Sequence, residues 1–214
     1  MQAVDLYCER LDAALWAEPV NALSNLAFVL GALVLWRVPA ARVPAALLAL
    51  VGVGSFVFHT WATQLAMALD VLPILVLIAW AGREALIRKL QWPLSRIVTV
   101  AVVLFLGVLP LWFWVEDPAA AGIAYVPAGV LLWAVWSRFH TQGHAGASAL
   151  LLASFSFTGA YTARALDGVL CPWIPLGTHW IWHLLNALAM SALIAGLTPG
   201  EQPPRLRPSG APEA

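Results

Sequence analysis

Two histidines one helical turn apart, His179 and His183 in Gly177-Thr-His179-Trp-Ile-Trp-His183-Leu-Leu-Asn186, can offer both imidazoles to one metal from a single helix face. A third, His59, closes the run Gly52-Val-Gly-Ser55-Phe-Val-Phe-His59, with Ser55 four residues back on the same face. Asp70 follows eleven residues later in Ala-Leu-Asp70-Val-Leu-Pro73. Three neutral imidazoles with an open fourth position describe a catalytic zinc site, although ligand type alone does not exclude other first-row metals. Zinc in such a site lowers the pKa of its water toward about 7 and supplies hydroxide at neutral pH. Asp70 is the candidate to take that proton or orient the water. Ser55 is the candidate to donate a hydrogen bond to the oxygen that turns negative as water attacks a carbonyl. The chemistry indicated is hydrolysis of an amide or an ester.

The elements that must position these groups belong to a membrane protein. Apolar residues make up 62% of the 214-residue chain and charged residues 10%, with twelve tryptophans. Mean hydropathy is +0.83, and a soluble chain of this length needs more charge to cover its surface. The net charge is zero, and no basic tract offers a surface to nucleic acid. Runs of about 20 apolar residues fall near 20–37, 43–60, 65–83, 96–115, 120–137, 147–166 and 178–197. The fold class expected is therefore all-α, a seven-transmembrane-helix bundle. Residues 1–19 form an extracytoplasmic N-terminal segment, 20–197 the catalytic bundle and 198–214 a proline-rich, disordered cytoplasmic tail. The acidic start lacks the basic region and apolar core of a cleaved signal. No internal repeat is evident.

Basic residues set the orientation. Arg37, Arg42, Arg83, Arg88, Lys89, Arg96, Arg138, Arg205 and Arg207 lie at or near one side, against Arg10 and Arg164 on the other. The first side is cytoplasmic, so the N-terminus faces outward, in a multi-pass protein of the cell (inner) membrane. The second span then ends outside and the third and seventh begin there. Ser55, His59, Asp70, His179 and His183 thus share one outer layer, whereas His140 and His144 lie in a loop at the opposite face. Cys8 and Cys171 also fall on the outer, oxidising side, where a disulfide would staple the N-terminal segment to the last loop; the alternative is two unrelated thiols. Trp16, Trp61, Trp173, Trp180 and Trp182 fit an outer interfacial belt. Pro73, Pro110 and Pro127 lie within spans and predict kinks. Asp167 reads as a partner of Arg164 or a loop cap, and Asn21 and Asn25 as ligands of nearby backbone.

The run Gly-Ser55-Phe-Val-Phe-His59, then Leu-Asp70-x-Leu-Pro73, Leu-Asp167-x-x-x-Cys171 and His179-x-x-x-His183, resembles the alkaline ceramidase family, in order over about residues 5–197. Cys8-Glu9 and Glu18-x-x-Asn21-x-x-Ser24-Asn25 are similar to it as well. That family consists of seven-helix membrane zinc amidases, in a superfamily that includes adiponectin receptors. The resemblance implies His59, His179 and His183 as zinc ligands, Ser55 and Asp70 in the catalytic roles, and a ceramide-like lipid as substrate. It also implies a calcium ion in the N-terminal segment. Cys8-Glu9 and Ala17-Glu18 match that part of the pattern, but Leu11 stands where an asparagine would be, with Asp12 beside it, and Asp5 is two positions before Tyr7. Asp5, Glu9, Asp12 and Glu18 are the candidate calcium ligands; the other reading is a solvated acidic leader.

Four functions compete. An intramembrane zinc amidase would cut the N-acyl bond of ceramide to a sphingoid base and a fatty acid. A lipid-sensing receptor with a structural zinc, or another lipid hydrolase, would use the same three histidines. A transporter with a histidine relay fits poorly, because no polar residues continue the outer cluster to the cytoplasmic side. Ser55 and Asp70 favour a reactive water, since a structural metal needs neither.

Overall fold

The computed structural model describes residues 4–114 and 122–198, and these are all helix, turn and loop. The first expected span is two helices, α1 (Pro19–Ser24) and α2 (Leu26–Leu35), separated by a turn at Asn25. It is followed by α3 (Arg42–Trp61), α4 (Gln64–Gly82), α5 (Leu94–Trp114), α6 (Val126–Thr141), α7 (Ala147–Leu170) and α8 (His179–Leu197). Among the described residues, three helical stretches are long and apolar enough to cross a membrane: Pro39–Trp61, Gln64–Lys89 and His179–Leu197. The expected tail from Pro199 onward lies outside the described residues.

Two local expectations are corrected. Pro127 does not kink a span: it sits in the first turn of α6, where its missing N–H is an orphan in any case. That start lies six residues later than expected, because Gly122, in the left-handed region at φ 66°, precedes a short 3-10 turn over Ile123–Tyr125. Pro73 and Pro110 do lie within α4 and α5. Past Gly82 the chain continues as a π-helical stretch, Arg83–Lys89, in which Glu84 takes hydrogen bonds from Arg83 and Arg88.

Helix α8 is the axis of the bundle and packs on α2, α3, α4 and α7. Phe28, Leu48, Val51, Leu77 and Ile194 fill the core between α2, α3, α4 and α8. A second cluster, with Leu86, Val135, Phe139, Leu150 and Leu197, closes the end of the bundle away from the leader. At the other end the leader docks through Tyr7 onto Phe58 and Ala66, and the Val4 N–H donates to the Ala62 carbonyl at 2.7 Å. The contact between α3 and α4 is the one that matters most for the site. Gly54 faces the Leu69 carbonyl and stands so close that a Cβ would overlap it and lie 3.2 Å from Asp70 Cα. That approach sets Ser55 beside Asp70.

Candidate metal centre and its surroundings

The last full turn of α3 carries His59 and the first two turns of α8 carry His179 and His183; all three are 1–2% exposed. One nitrogen of each lies within 4.8 Å of the other two. The His59–His183 and His179–His183 ring centroids are 4.7 and 4.5 Å apart. The convergence expected from topology is therefore present.

Two of the rings are fixed by a partner on the nitrogen facing away from the cluster. His59 Nδ1–H donates to Glu18 Oε2 at 2.5 Å. Ser24 Oγ gives its own proton to the Asn21 carbonyl at 2.8 Å, so it accepts from His183 Nδ1–H at 2.7 Å. Both bonds leave Nε2 as the lone-pair nitrogen, the arrangement by which histidine ligands are oriented. His59 Nε2 and His179 Nδ1 are buried with no hydrogen-bond partner. Buried, unpaired imidazole nitrogens are costly, and a metal ion among them removes that cost. The donor set fits zinc.

His179 is held differently. The Tyr7 ring stacks on it, centroids 3.5 Å apart and planes 12° apart. Asp167, near the end of α7, accepts the Thr178 and His179 N–H groups at 2.6 and 2.9 Å through Oδ1 and the Cys8 N–H at 3.0 Å through Oδ2. One carboxylate thus caps α8, where negative charge suits the helix dipole, and ties the leader to it. The Cys8–Cys171 disulfide, Cα–Cα 5.4 Å, closes the same junction. Asp167 is a cap, the second of its two expected readings.

Gly177, at φ 67°, turns the chain under that carboxylate; a Cβ there would overlap Asp167 Oδ1 and come 2.8 Å from Cys8 Cβ. Gly177→Ala is expected to cost at least about 1–2 kcal/mol from the left-handed backbone alone, and more as Asp167 is pushed off the α8 N-terminus. A thermal melt checks it, and an unchanged Tm would show that the cap tolerates the methyl.

Asp70, half-buried on α4, lies beside the buried Ser55, with His59 and the Arg164 guanidinium acting on it electrostatically. Arg164 donates to the Tyr7 hydroxyl at 2.6 Å and stands 5.3–5.7 Å from the Tyr7, Trp182 and Tyr125 ring centroids. Burial pushes the Tyr7 phenol up despite that guanidinium, so it stays neutral. Trp182 is not part of an interfacial belt: it is 4% exposed and packs on Tyr125, whereas Trp16, Trp61 and Trp173 are exposed. Below it an apolar cavity runs between α4, α6 and α8, lined by Ile74, Leu77, Tyr125, Trp182, Asn186 and Met190 among others. His140 is exposed at the far end of α6, stacked on Trp136.

The acidic leader is only partly solvated. Asp5 and Asp12 are exposed, whereas Glu9 and Glu18 are buried. Glu9 accepts the Val20 and Asn21 N–H groups at 2.7 and 2.8 Å, and burial raises its carboxyl above the usual range all the same. Burial pushes Glu18 up as well, but His59 and Arg10 outweigh it and hold the carboxyl below the usual range. Asn21 and Asn25 bond locally, Asn25 Nδ2 donating to the Asn21 carbonyl at 2.8 Å. Sequence reasoning missed Ser24, Tyr7 and the Glu18–His59 bond. The available signal was Glu18 itself, a carboxylate directly before the first expected span.

A family model described as Ceramidase matches residues 7–199. No curated protein matches the chain.

Proposed function

We propose that this chain, which belongs to the ceramidase family, is an intramembrane zinc amidase that hydrolyses the N-acyl bond of ceramide or a ceramide-like lipid. The products are a sphingoid base and a free fatty acid. The observation that carries this reading is the buried three-histidine cluster with Ser55 and Asp70 on its rim. A binding site for a structural metal has no use for that pair.

His59, His179 and His183 would hold the zinc, which when bound would supply Lewis acidity to the substrate carbonyl and to water. The protein's own groups do the rest. Glu18 and Ser24 keep His59 and His183 in the tautomer that offers Nε2. Asp70 accepts the proton of the attacking water on its carboxylate and returns it to the amide nitrogen as the C–N bond breaks. Ser55 Oγ–H, which donates to the Asp70 carboxylate here, is the donor turned to the carbonyl oxygen as charge develops there. The cavity beside α8 takes the acyl chain: from Trp182 to Leu193 a helix rises about 16 Å, the reach of a long acyl chain. The walls are almost wholly apolar, so only the amide meets polar groups.

The membrane arrangement proposed is seven spans, with the site near the extracytoplasmic face of the cell membrane. Large apolar residues facing outward around the bundle, among them Leu30, Val43, Leu65, Val103 and Phe105, suit a lipid-facing surface. The disulfide at the leader end suits an oxidising compartment.

The test is release of fatty acid from a panel of fluorescent-acyl ceramides by the detergent-purified protein, with and without a zinc chelator. Chelator-sensitive release is expected. Absence of release from every ceramide, in a preparation carrying one zinc per chain, would overturn the substrate assignment.

A further inference from the structure

Arg10 is the least expected buried charge in the leader, with its side chain 2% exposed. Its Nε donates to Glu18 Oε1 at 2.5 Å, its Nη1 reaches the Asp12 and Ala14 carbonyls at 3.3 and 3.4 Å, and its Nη2 reaches the His59 carbonyl at 3.2 Å. One carboxylate and three carbonyls therefore converge on a single cation. An all-oxygen shell of that kind is what a calcium ion takes, and here the guanidinium stands inside it.

The calcium ion implied by the family resemblance does not fit these residues. Both Glu9 oxygens are occupied by backbone N–H groups. Glu18 gives one oxygen to Arg10 and the other to His59 and Asn21. Asp5 is exposed, Asp12 Oδ1 accepts the Ala14 N–H at 2.8 Å, and Leu11, in the asparagine position, is 87% exposed. Among the described residues no three carboxylates converge to bind calcium at six to eight oxygens about 2.3–2.6 Å away, and Glu18 already stands against a fixed positive charge.

We propose that Arg10 is the resident cation of the leader, standing where the family resemblance implies calcium, and that it acts as a positioning residue for the metal centre through Glu18. The chain Arg10–Glu18–His59 holds the Glu18 carboxylate in line with His59 Nδ1, and the Nη2 bond to the His59 carbonyl fixes the end of α3 at the same time. Arginine suits the task, because its planar fork spans several acceptors at once while the ammonium of lysine is a single point. The inference rests on the proposed three-histidine metal site, and is independent of which lipid is cut.

Two measurements on the full-length, zinc-loaded protein test it. In the first, calcium-depleted wild-type protein is melted with and without about 1 mM calcium, the range of weak extracytoplasmic calcium modules, and calcium binding is measured by equilibrium dialysis. An unchanged Tm and no bound calcium are expected. A raised Tm with stoichiometric calcium would overturn the proposal, whatever the variants do. In the second, Arg10→Ala and Arg10→Lys are compared with wild type. Arg10→Ala is expected to lower the Tm by about 10 °C, as for an uncompensated buried carboxylate. It is also expected to weaken zinc retention against a chromophoric chelator by about 10-fold. Lysine should restore part of both. Zinc retention unchanged in folded Arg10→Lys and Arg10→Ala would overturn the positioning role. A wild-type protein that holds no zinc would instead remove the metal reading on which it rests.

Discussion

His183→Ala is expected to leave a protein that retains no stoichiometric zinc and hydrolyses no lipid amide above background. His183 completes a triangle with the other two histidines, its ring centroid 4.7 and 4.5 Å from theirs and theirs 5.2 Å apart, and is 2% exposed. No other described histidine is near enough to replace it, since His140 and His144 are at the opposite end of the bundle, by Trp136 and Phe139. Removing a partner behind a ligand costs about 10–100-fold in metal affinity, so removing the ligand should cost more than about 100-fold. Ser24→Ala provides the scale. It removes only the acceptor of His183 Nδ1–H and should fall within that 10–100-fold range, with activity recovered by excess zinc. Metal content by mass spectrometry, paired with the chelator competition, distinguishes the two variants. Full zinc content in His183→Ala would remove His183 from the ligand set.

Much of this site was legible because membrane topology compresses the search. Once spans and orientation follow from apolar runs and basic residues, the end of the second span and the starts of the third and seventh must share a layer. His59, Asp70 and His179 occupy those ends. Two turns of helix do the rest for Ser55 and His183. The pairing of Cys8 with Cys171 follows from the same sidedness. What orients the ligands was not legible, because it comes from pairs with no spacing rule. Glu18 meets His59 across 41 residues, Ser24 meets His183 across 159 and Cys8 meets Asp167 across 159. A leader of eighteen residues with four acids reads as solvated; Arg10, buried among backbone carbonyls, is what makes it part of the core. Trp182 was misplaced for a related reason. Tryptophans near a span end favour the interface, but the i,i+3 step from His179 turns this one inward, toward Tyr125 and the cavity.

Asp70→Asn is expected to separate metal binding from proton transfer. The substitution keeps the size of the side chain, and none of the nitrogens gathered in the histidine cluster belongs to residue 70. Zinc content and Tm should therefore stay close to wild type. The amide cannot take a proton from the attacking water, and general acid–base catalysis of this kind is worth about 10²–10⁴-fold. The kcat should fall by that factor, while KM, which the proposed function assigns to acyl-chain burial in the cavity beside α8, should change little. Ser55→Ala should be milder, because it removes one hydrogen-bond donor and leaves the carboxylate in place. Steady-state rates on a cleaved ceramide, normalised to bound zinc, check both variants. A zinc-loaded Asp70→Asn enzyme with wild-type kcat would end the proton-transfer role for Asp70. A loss of zinc in the same variant would mean that Asp70 acts on the metal instead, and the catalytic proton would have to be sought elsewhere on the outer layer.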